Sequence, residues 1–316
     1  MKIMGICAGR KGGNTEILMK EALLVCQEKG AEIVMVNLHD YHIEACIGCN
    51  SCSKNLMAGK VGCVLDSRDD VRAIMEVMLE VDGVIIGAPT YDLMPAGLYT
   101  KFANRYITFE AANLRIKGLM DVKDRVCGIL AVGGSTRAWQ SMAQESIQAT
   151  TFTQSLQVVD QYLATRVPLQ GMVTLNEDMM ARVRLMGERI YEAAATPVAE
   201  RKWLGDPDEG WCPVCHSHTL TLGEPQWDGK QWPIECTVCG AGGDLQKDEN
   251  GKWKFVIAED GLDRCRINEE GRGKHFIEIR ATKAMGMERM EEIKANMAKY
   301  RAIQFPTITP KAKQEK

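Results

Sequence analysis

Over residues 1–196 the sequence predicts an α/β fold: a five-stranded parallel sheet with helices on both faces. Two observations predict it. Short apolar runs alternate with stretches of helical periodicity, as in a parallel sheet covered on both sides. Loops rich in small residues follow the first, third and fourth runs, where a doubly wound sheet carries its ligand site.

The candidate strands are 2–8, 32–37, 83–88, 126–132 and 157–163. Leu18, Ala22, Val25 and Cys26 recur at helical spacing after the first, and Val71, Ile74, Met75 and Met78 do so before the third. Further helices are expected over 140–151 and 178–195. Five such strands fit a flavodoxin-like sheet. Residues 197–210, with Pro197, Pro207 and several charges, read as a linker. Beyond residue 196 the composition shifts, and five of the six tryptophans lie there.

Residues 211–316 read as a smaller unit, a four-cysteine metal ribbon followed by a terminal helix. Strands are expected over 252–257 and 275–280 and a helix over 285–303, with a frayed tail from Pro306. Along that helix Met285, Glu288, Met290, Ile293, Met297 and Tyr300 form an amphipathic stripe, suited to packing or to contact between subunits. Trp227, Trp232 and Trp253 are expected to pack the small unit.

The chain has 316 residues and a formal charge of -3, which gives no general attraction to nucleic acid or anionic membrane. No stretch of 18 apolar residues occurs, so no membrane span is expected. The N-terminus enters a strand directly, without a secretory segment, so the expected compartment is a reducing cytoplasm. There the 12 cysteines are expected as thiols, and eight of them fall into two sets of four.

The first glycine-rich turn, residues 7–15, ends in Arg10-Lys11-Gly12-Gly13-Asn14-Thr15 and enters a helix. Small residues let backbone N–H groups approach a phosphate, the helix start adds partial positive charge, and Arg10, Asn14 and Thr15 add donors. Taken alone, the same pattern serves equally as a tight strand-to-helix turn. The second loop, residues 87–96, offers Pro89, Thr90, Tyr91, Asp92, Leu93 and Met94, with Tyr91 and Met94 placed to flank an isoalloxazine. The third offers Gly133 and Gly134, then Arg137, Trp139 and the pair Gln144-Glu145. Three loops in this order favour a flavin nucleotide.

Cys46, Cys49, Cys52 and Cys63 have the spacing C-x2-C-x2-C-x10-C, in which thiolates at every third position converge on one iron-sulfur core. The alternative is a set of buried or redox-active thiols; zinc fits this spacing less well. Cys212-x2-Cys215 and, after 20 residues, Cys236-x2-Cys239 present two knuckles to a single tetrahedral ion. Zinc and iron both accept four thiolates. His216 stands where a rubredoxin has glycine, which favours zinc, and His216 and His218 are expected beside the ion rather than on it. Cys7, Cys26 and Cys127 are expected in the core, and Cys265 lies outside both sets.

These motifs resemble the NADPH-dependent FMN reductase family, and within it the iron-sulfur flavoproteins. The resemblance spans roughly residues 1–165 and rests on 10–15, on the cysteine set followed by Val64-Leu65-Asp66 and Asp69-Asp70, on Ala88-Pro89-Thr90-Tyr91, on Lys101-Phe102 with Arg105, and on Val132-Gly133-Gly134 with Gln144-Glu145. It implies a flavodoxin-like fold, an FMN cofactor held by Ala8, Arg10, Gly13, Asn14, Thr15, the 89–94 loop, Gly133 and Gly134, and a [4Fe-4S] cluster on the first cysteine set. It also implies a dimer or tetramer whose flavin pocket is completed across an interface. Ala8-Gly9 replaces the family's Ser-Pro pair, removing one hydroxyl, and the third loop is longer than usual.

The function expected is that of an FMN-dependent oxidoreductase passing electrons between FMN and a [4Fe-4S] cluster, with ferredoxin or NAD(P)H as donor. No G-x-G-x-x-G follows a strand, so a nicotinamide would dock directly over the flavin. Two alternatives stand beside it: an NAD(P)H-dependent flavin or quinone reductase without a cluster, and a partner-recruiting module with a structural flavin.

Overall fold

The structure, a computed structural model, describes residues 1–140, 142–207 and 210–306. Its first part runs β1 (Lys2–Cys7), α1 (Asn14–Glu28), β2 (Glu32–Asn37), α2 (Ser51–Met57), α3 (Val71–Glu80), β3 (Gly83–Tyr91), β4 (Met94–Pro95), α4 (Gly97–Ala103), α5 (Ala111–Ile116), β5 (Val126–Val132), α6 (Ala143–Thr151), β6 (Gln157–Ala164) and α7 (Glu177–Ala195). The five expected strands are all present, parallel, in the order β2-β1-β3-β5-β6. This is the flavodoxin-like fold.

Alternate residues of each strand feed opposite cores. Met4, Ile6, Val84, Ile86 and Ile129 pack with Ile74, Met75 and Met78 of α3 and with Tyr99 and Phe102 of α4. Ile3, Cys7, Ile85 and Leu130 pack with Leu18, Met19, Ala22 and Cys26 of α1 and with Met186 and Ile190 of α7. The helices α1 and α7 approach closely at Gly187, whose carbonyl accepts from the Cys26 thiol at 3.3 Å. Cys127 is likewise buried.

Two features depart from the expected elements here. The third strand continues to Tyr91 and folds back on the two-residue β4, because Asp92 and Leu93 take left-handed φ of 49° and 70° and reverse the chain in two residues. The helix expected from 140 begins at Ala143. Within residues 197–207, Leu204 and Gly205 donate to Val159 O at 2.8 and 3.0 Å. Asp206 meets Arg182 at 3.3 Å and Arg189 at 3.4 Å, and both arginines also hold the buried Asp160 of β6.

The C-terminal part comprises β7 (Leu220–Leu222), β8 (Ile234–Cys236), β9 (Gly242–Lys247), β10 (Trp253–Ile257), α8 (Glu269–Glu288) and α9 (Met290–Arg301). Its four strands form one antiparallel sheet in the order β10-β9-β8-β7. The strand expected over 275–280 is instead part of α8. Asn268 caps that helix by accepting from Gly271 N, and Glu269 and Glu270 sit in its first turn; these outweigh the short alternating pattern. The helix expected over 285–303 is accordingly split between α8 and α9. Met285, Met297 and Tyr300 of the apolar stripe are exposed. Of the three tryptophans expected to pack this unit only Trp232 is buried, its Nε1 donating to Asp260 at 2.9 Å; Trp227 and Trp253 are about half exposed.

A Cβ on Gly187 would stand 2.2 Å from Ala22 O, a backbone atom with no rotamer to yield. Gly187→Ala is therefore expected to destabilise the chain by about 1–3 kcal/mol, read as a lower urea midpoint at unchanged m-value.

Candidate functional site

A cavity of about 320 Å³ opens where β1, β3, β5 and β6 end. Parallel strands present their carboxyl ends to the same side, so the loops that follow them meet there. Of the residues singled out by sequence, Arg10, Gly13, Asn14, Thr15, Pro89, Thr90, Tyr91, Gly133 and Gly134 line it. Ala8 does not. It is buried in the core, its N–H donating to Gly87 O at 2.8 Å as part of the pairing of β1 with β3. Asp92, Leu93 and Met94 are also absent from the wall: Asp92 and Leu93 form the β3–β4 turn and Met94 begins β4.

The helix α1 starts at Asn14 with no side chain capping it, so its first amides have no acceptor within the helix. These donors, beside the Arg10 side chain, suit a phosphate. Asn14 itself serves differently from the sequence expectation. Its Nδ2 donates to Val167 O at 2.9 Å and Leu169 O at 2.8 Å, so both hydrogens are engaged and only its backbone N–H faces a ligand. Gln170 Nε2 adds a bond to Gly12 O at 3.1 Å. Behind the turn, Glu16 accepts from Gly12 N and pairs with Lys20 at 3.1 Å. Burial opposes the charge on Glu16, yet these two partners hold its carboxyl below the usual range.

Sequence reasoning missed the loop after β6 and one glutamine. Val167 and Pro168 complete the cavity wall. The signal for them was their place at the carboxyl end of a fifth parallel strand. Gln140, 1% exposed, joins the second and third loops: its Oε1 accepts from Thr90 Oγ1 at 3.2 Å and its Nε2 donates to Ser135 O at 2.7 Å. Gly133 admits this arrangement, since a Cβ there would lie 2.2 Å from Gln140 Oε1. Met142 N donates to Leu93 O at 3.2 Å, tying the same two loops again. Tyr91, Leu93, Met94 and Trp139 on these loops are exposed.

The four cysteines of the first set line one small recess of about 70 Å³. Cys46 and Cys49 are exposed and Cys52 and Cys63 half-buried. Arg105, buried beneath them, forms ion pairs with Asp69 and Asp66 and donates to Glu44 O at 3.3 Å. Asp66 accepts from Cys63 N at 2.8 Å and Asp69 from Glu44 N at 3.1 Å, so this network fixes both ends of the cysteine loop. The Arg105 Nε has no partner, a buried donor on the recess wall that suits an anionic group. The Ser51 hydroxyl lowers the Cys49 thiol pKa, whereas burial raises that of Cys52. The recess and the larger cavity share no wall residue.

Cys212, Cys215, Cys236 and Cys239 are buried, with all four sulfurs within 4.8 Å of one another. Two of the separations are 3.7 Å (Cys212 to Cys239) and 3.6 Å (Cys215 to Cys236). Sulfurs held about 2.3 Å from one ion at tetrahedral angles lie about 3.8 Å apart, so the site fits a single metal ion. Each knuckle is followed by a left-handed residue, Gly240 with φ 76° and His216 with φ 58°. A histidine stays in this conformation because it stacks on Trp203 at 3.9 Å while its carbonyl accepts from Gln161 Nε2 at 2.7 Å. Gln148 of α6 donates to Cys215 O, and Phe152 packs into the same cluster as the four cysteines. Cys265 is buried there too.

Residues 1–167 match the family model described as NADPH-dependent FMN reductase. An iron-sulfur flavoprotein of Methanocaldococcus jannaschii is 31% identical over 170 residues, covering 50% of this chain and 76% of that one. One of Methanosarcina thermophila is 34% identical over 149 residues, 46% of this chain and 71% of that one. The flavone synthase cfoJ of Aspergillus candidus is 25% identical over 298 residues, 88% of each chain. Among solved structures, a flavone reductase aligns with a TM-score of 0.75 at 25% identity, across 98% of this chain and 100% of that one.

Replacing Cys215 and Cys236 by serine is expected to remove one metal equivalent per chain and lower the thermal midpoint. Elemental analysis and a melting curve check this.

Proposed function

The chain belongs to the NADPH-dependent FMN reductase family, and from that footing we propose that its 320 Å³ cavity seats FMN with the phosphate on the Arg10–Thr15 turn. The chain is an FMN-dependent oxidoreductase; bound FMN supplies the exchange of hydride and of single electrons. One observation carries the placement: an uncapped helix start and three further strand-end loops converge on one cavity. The first amides of α1 and the Arg10 guanidinium meet the phosphate. Pro89, Thr90 and Gly133 would hold the ring system, and the exposed Tyr91 would cover flat aromatic surface.

The reduced nicotinamide docks over the flavin, a reading supported by the family. A [4Fe-4S] cluster is held by Cys46, Cys49, Cys52 and Cys63, and supplies single-electron transfer. The shared recess and the unpaired donor of Arg105 support this. In the ribbon, zinc is held by the four buried thiolates and contributes folding energy to a unit with a small core. The apolar residues exposed on α8 and α9 support a homo-oligomer.

A second reading is favoured by one observation: the flavone synthase and the flavone reductase match nearly the whole chain, ribbon included. On this reading the reducing equivalents go directly to a flat, unsaturated oxygen heterocycle of the flavone type, and the first cysteine set stays metal-free.

Anaerobically purified protein separates the two. The first reading predicts that NADPH bleaches the flavin absorption and that iron and acid-labile sulfide are present in equal amounts. NADPH bleaches the flavin on either reading, so absent sulfide, with repeated turnover of NADPH only when a flavone is added, would establish the second.

A further inference from the structure

A second cavity, of about 400 Å³, lies between the two parts of the chain. One wall is the turn carrying Ile107 and Glu110 together with Phe152 at the end of α6; the other is the segment from Arg264 to the first turns of α8. Clefts between structural units are common ligand sites, and this volume suits a molecule of one or two rings. Nothing in the flavin or metal chemistry above uses it.

Its walls combine apolar surface with unmet polar capacity. Phe152 and Phe276 contribute the apolar part, and Arg264, Arg266 and Arg272 bring three guanidinium groups to one cleft. The Arg264 side chain, 9% exposed, pairs with Asp228 through a terminal nitrogen and leaves its Nε without a partner. Arg272 directs its terminal nitrogens to Arg266 O at 3.0 Å, Ile267 O at 3.1 Å and Ser155 Oγ at 3.3 Å, and its Nε is likewise unpaired. Glu110 is 4% exposed; its Oε2 caps α5 by accepting from Asn113 N at 2.7 Å, and its Oε1 has no partner. Burial raises the pKa of Glu110 against the opposing pull of the nearby Arg272. Buried donors in folded proteins are nearly always satisfied, so two unpaired guanidinium Nε groups beside one cleft suit an acceptor-rich ligand.

We propose that this cleft binds a small organic anion, with its carboxylate toward Arg264 and Arg272 and its apolar body against Phe152 and Phe276. Ile107 also lines the cysteine recess, so the ligand would sit one side chain away from it.

The test is calorimetric titration of the full chain, as purified with its cofactors, using 3-phenylpropanoate as probe. Saturable binding at one per chain is expected, with the uncharged 3-phenylpropanamide weaker by about tenfold or more. Arg272→Gln is expected to weaken the acid by about tenfold or more. Because that change also removes bonds that position α8, Glu110→Gln serves as a second variant. It keeps an acceptor for Asn113 N and cannot carry charge, so the acid should bind at least as tightly as to the unaltered chain. Equal binding of amide and acid, undiminished affinity in Arg272→Gln, weaker binding in Glu110→Gln, or no saturable heat at millimolar probe would each overturn the proposal. Inorganic phosphate binding as tightly as the aryl acid would also overturn it.

Discussion

The cavity depends on how four strand ends are held together. Parallel pairing brings the carboxyl ends of β1, β3, β5 and β6 to one side, and main-chain bonds such as Val167 N to Gly133 O at 3.2 Å begin to tie the loops that follow them. A few side-chain bonds complete the tie. Asn14 joins the start of α1 to the loop after β6, and Gln140 joins the β3–β4 turn to the loop after β5. With Asn14 engaged in this way, the helix start is left to its backbone amides. The cavity thereby presents main-chain donors, which need no side-chain ordering on binding.

The two cysteine sets illustrate how geometry distinguishes sites that share a chemistry. In the ribbon the sulfurs are buried at separations that fit one tetrahedral ion, and the surrounding bonds from Gln148 and Gln161 reach its backbone rather than its thiols. The first set is more open, lines a shared recess, and rests on a buried arginine held by two aspartates. One site is built into a small core, whereas the other is an edge of the larger domain accessible from solvent. That division suits a structural ion in the first case and an electron-transfer group in the second.

Much of this was legible in the sequence, and the failures have identifiable causes. All five parallel strands were legible because strands buried on both faces read as apolar runs. The knuckles were legible because two C-x2-C pairs leave few alternatives. The family resemblance implies Ala8 at the flavin, yet its amide belongs to the strand ladder. Asn14 looked like a phosphate donor because sequence shows a side chain's capacity and not its partner, which here lies more than 150 residues away. Gln140 carried no local signal at all. The 275–280 run alternates like a strand, but a capped helix start a few residues earlier decided its conformation.

Stripping the flavin and titrating the apoprotein with FMN and with riboflavin, followed by flavin fluorescence, tests the central claim most directly. If the amides at the start of α1 hold the phosphate, FMN binds at least about a hundredfold more tightly than riboflavin, a difference of about 2.7 kcal/mol. Equal affinity for the two flavins, or no binding of either, would contradict it.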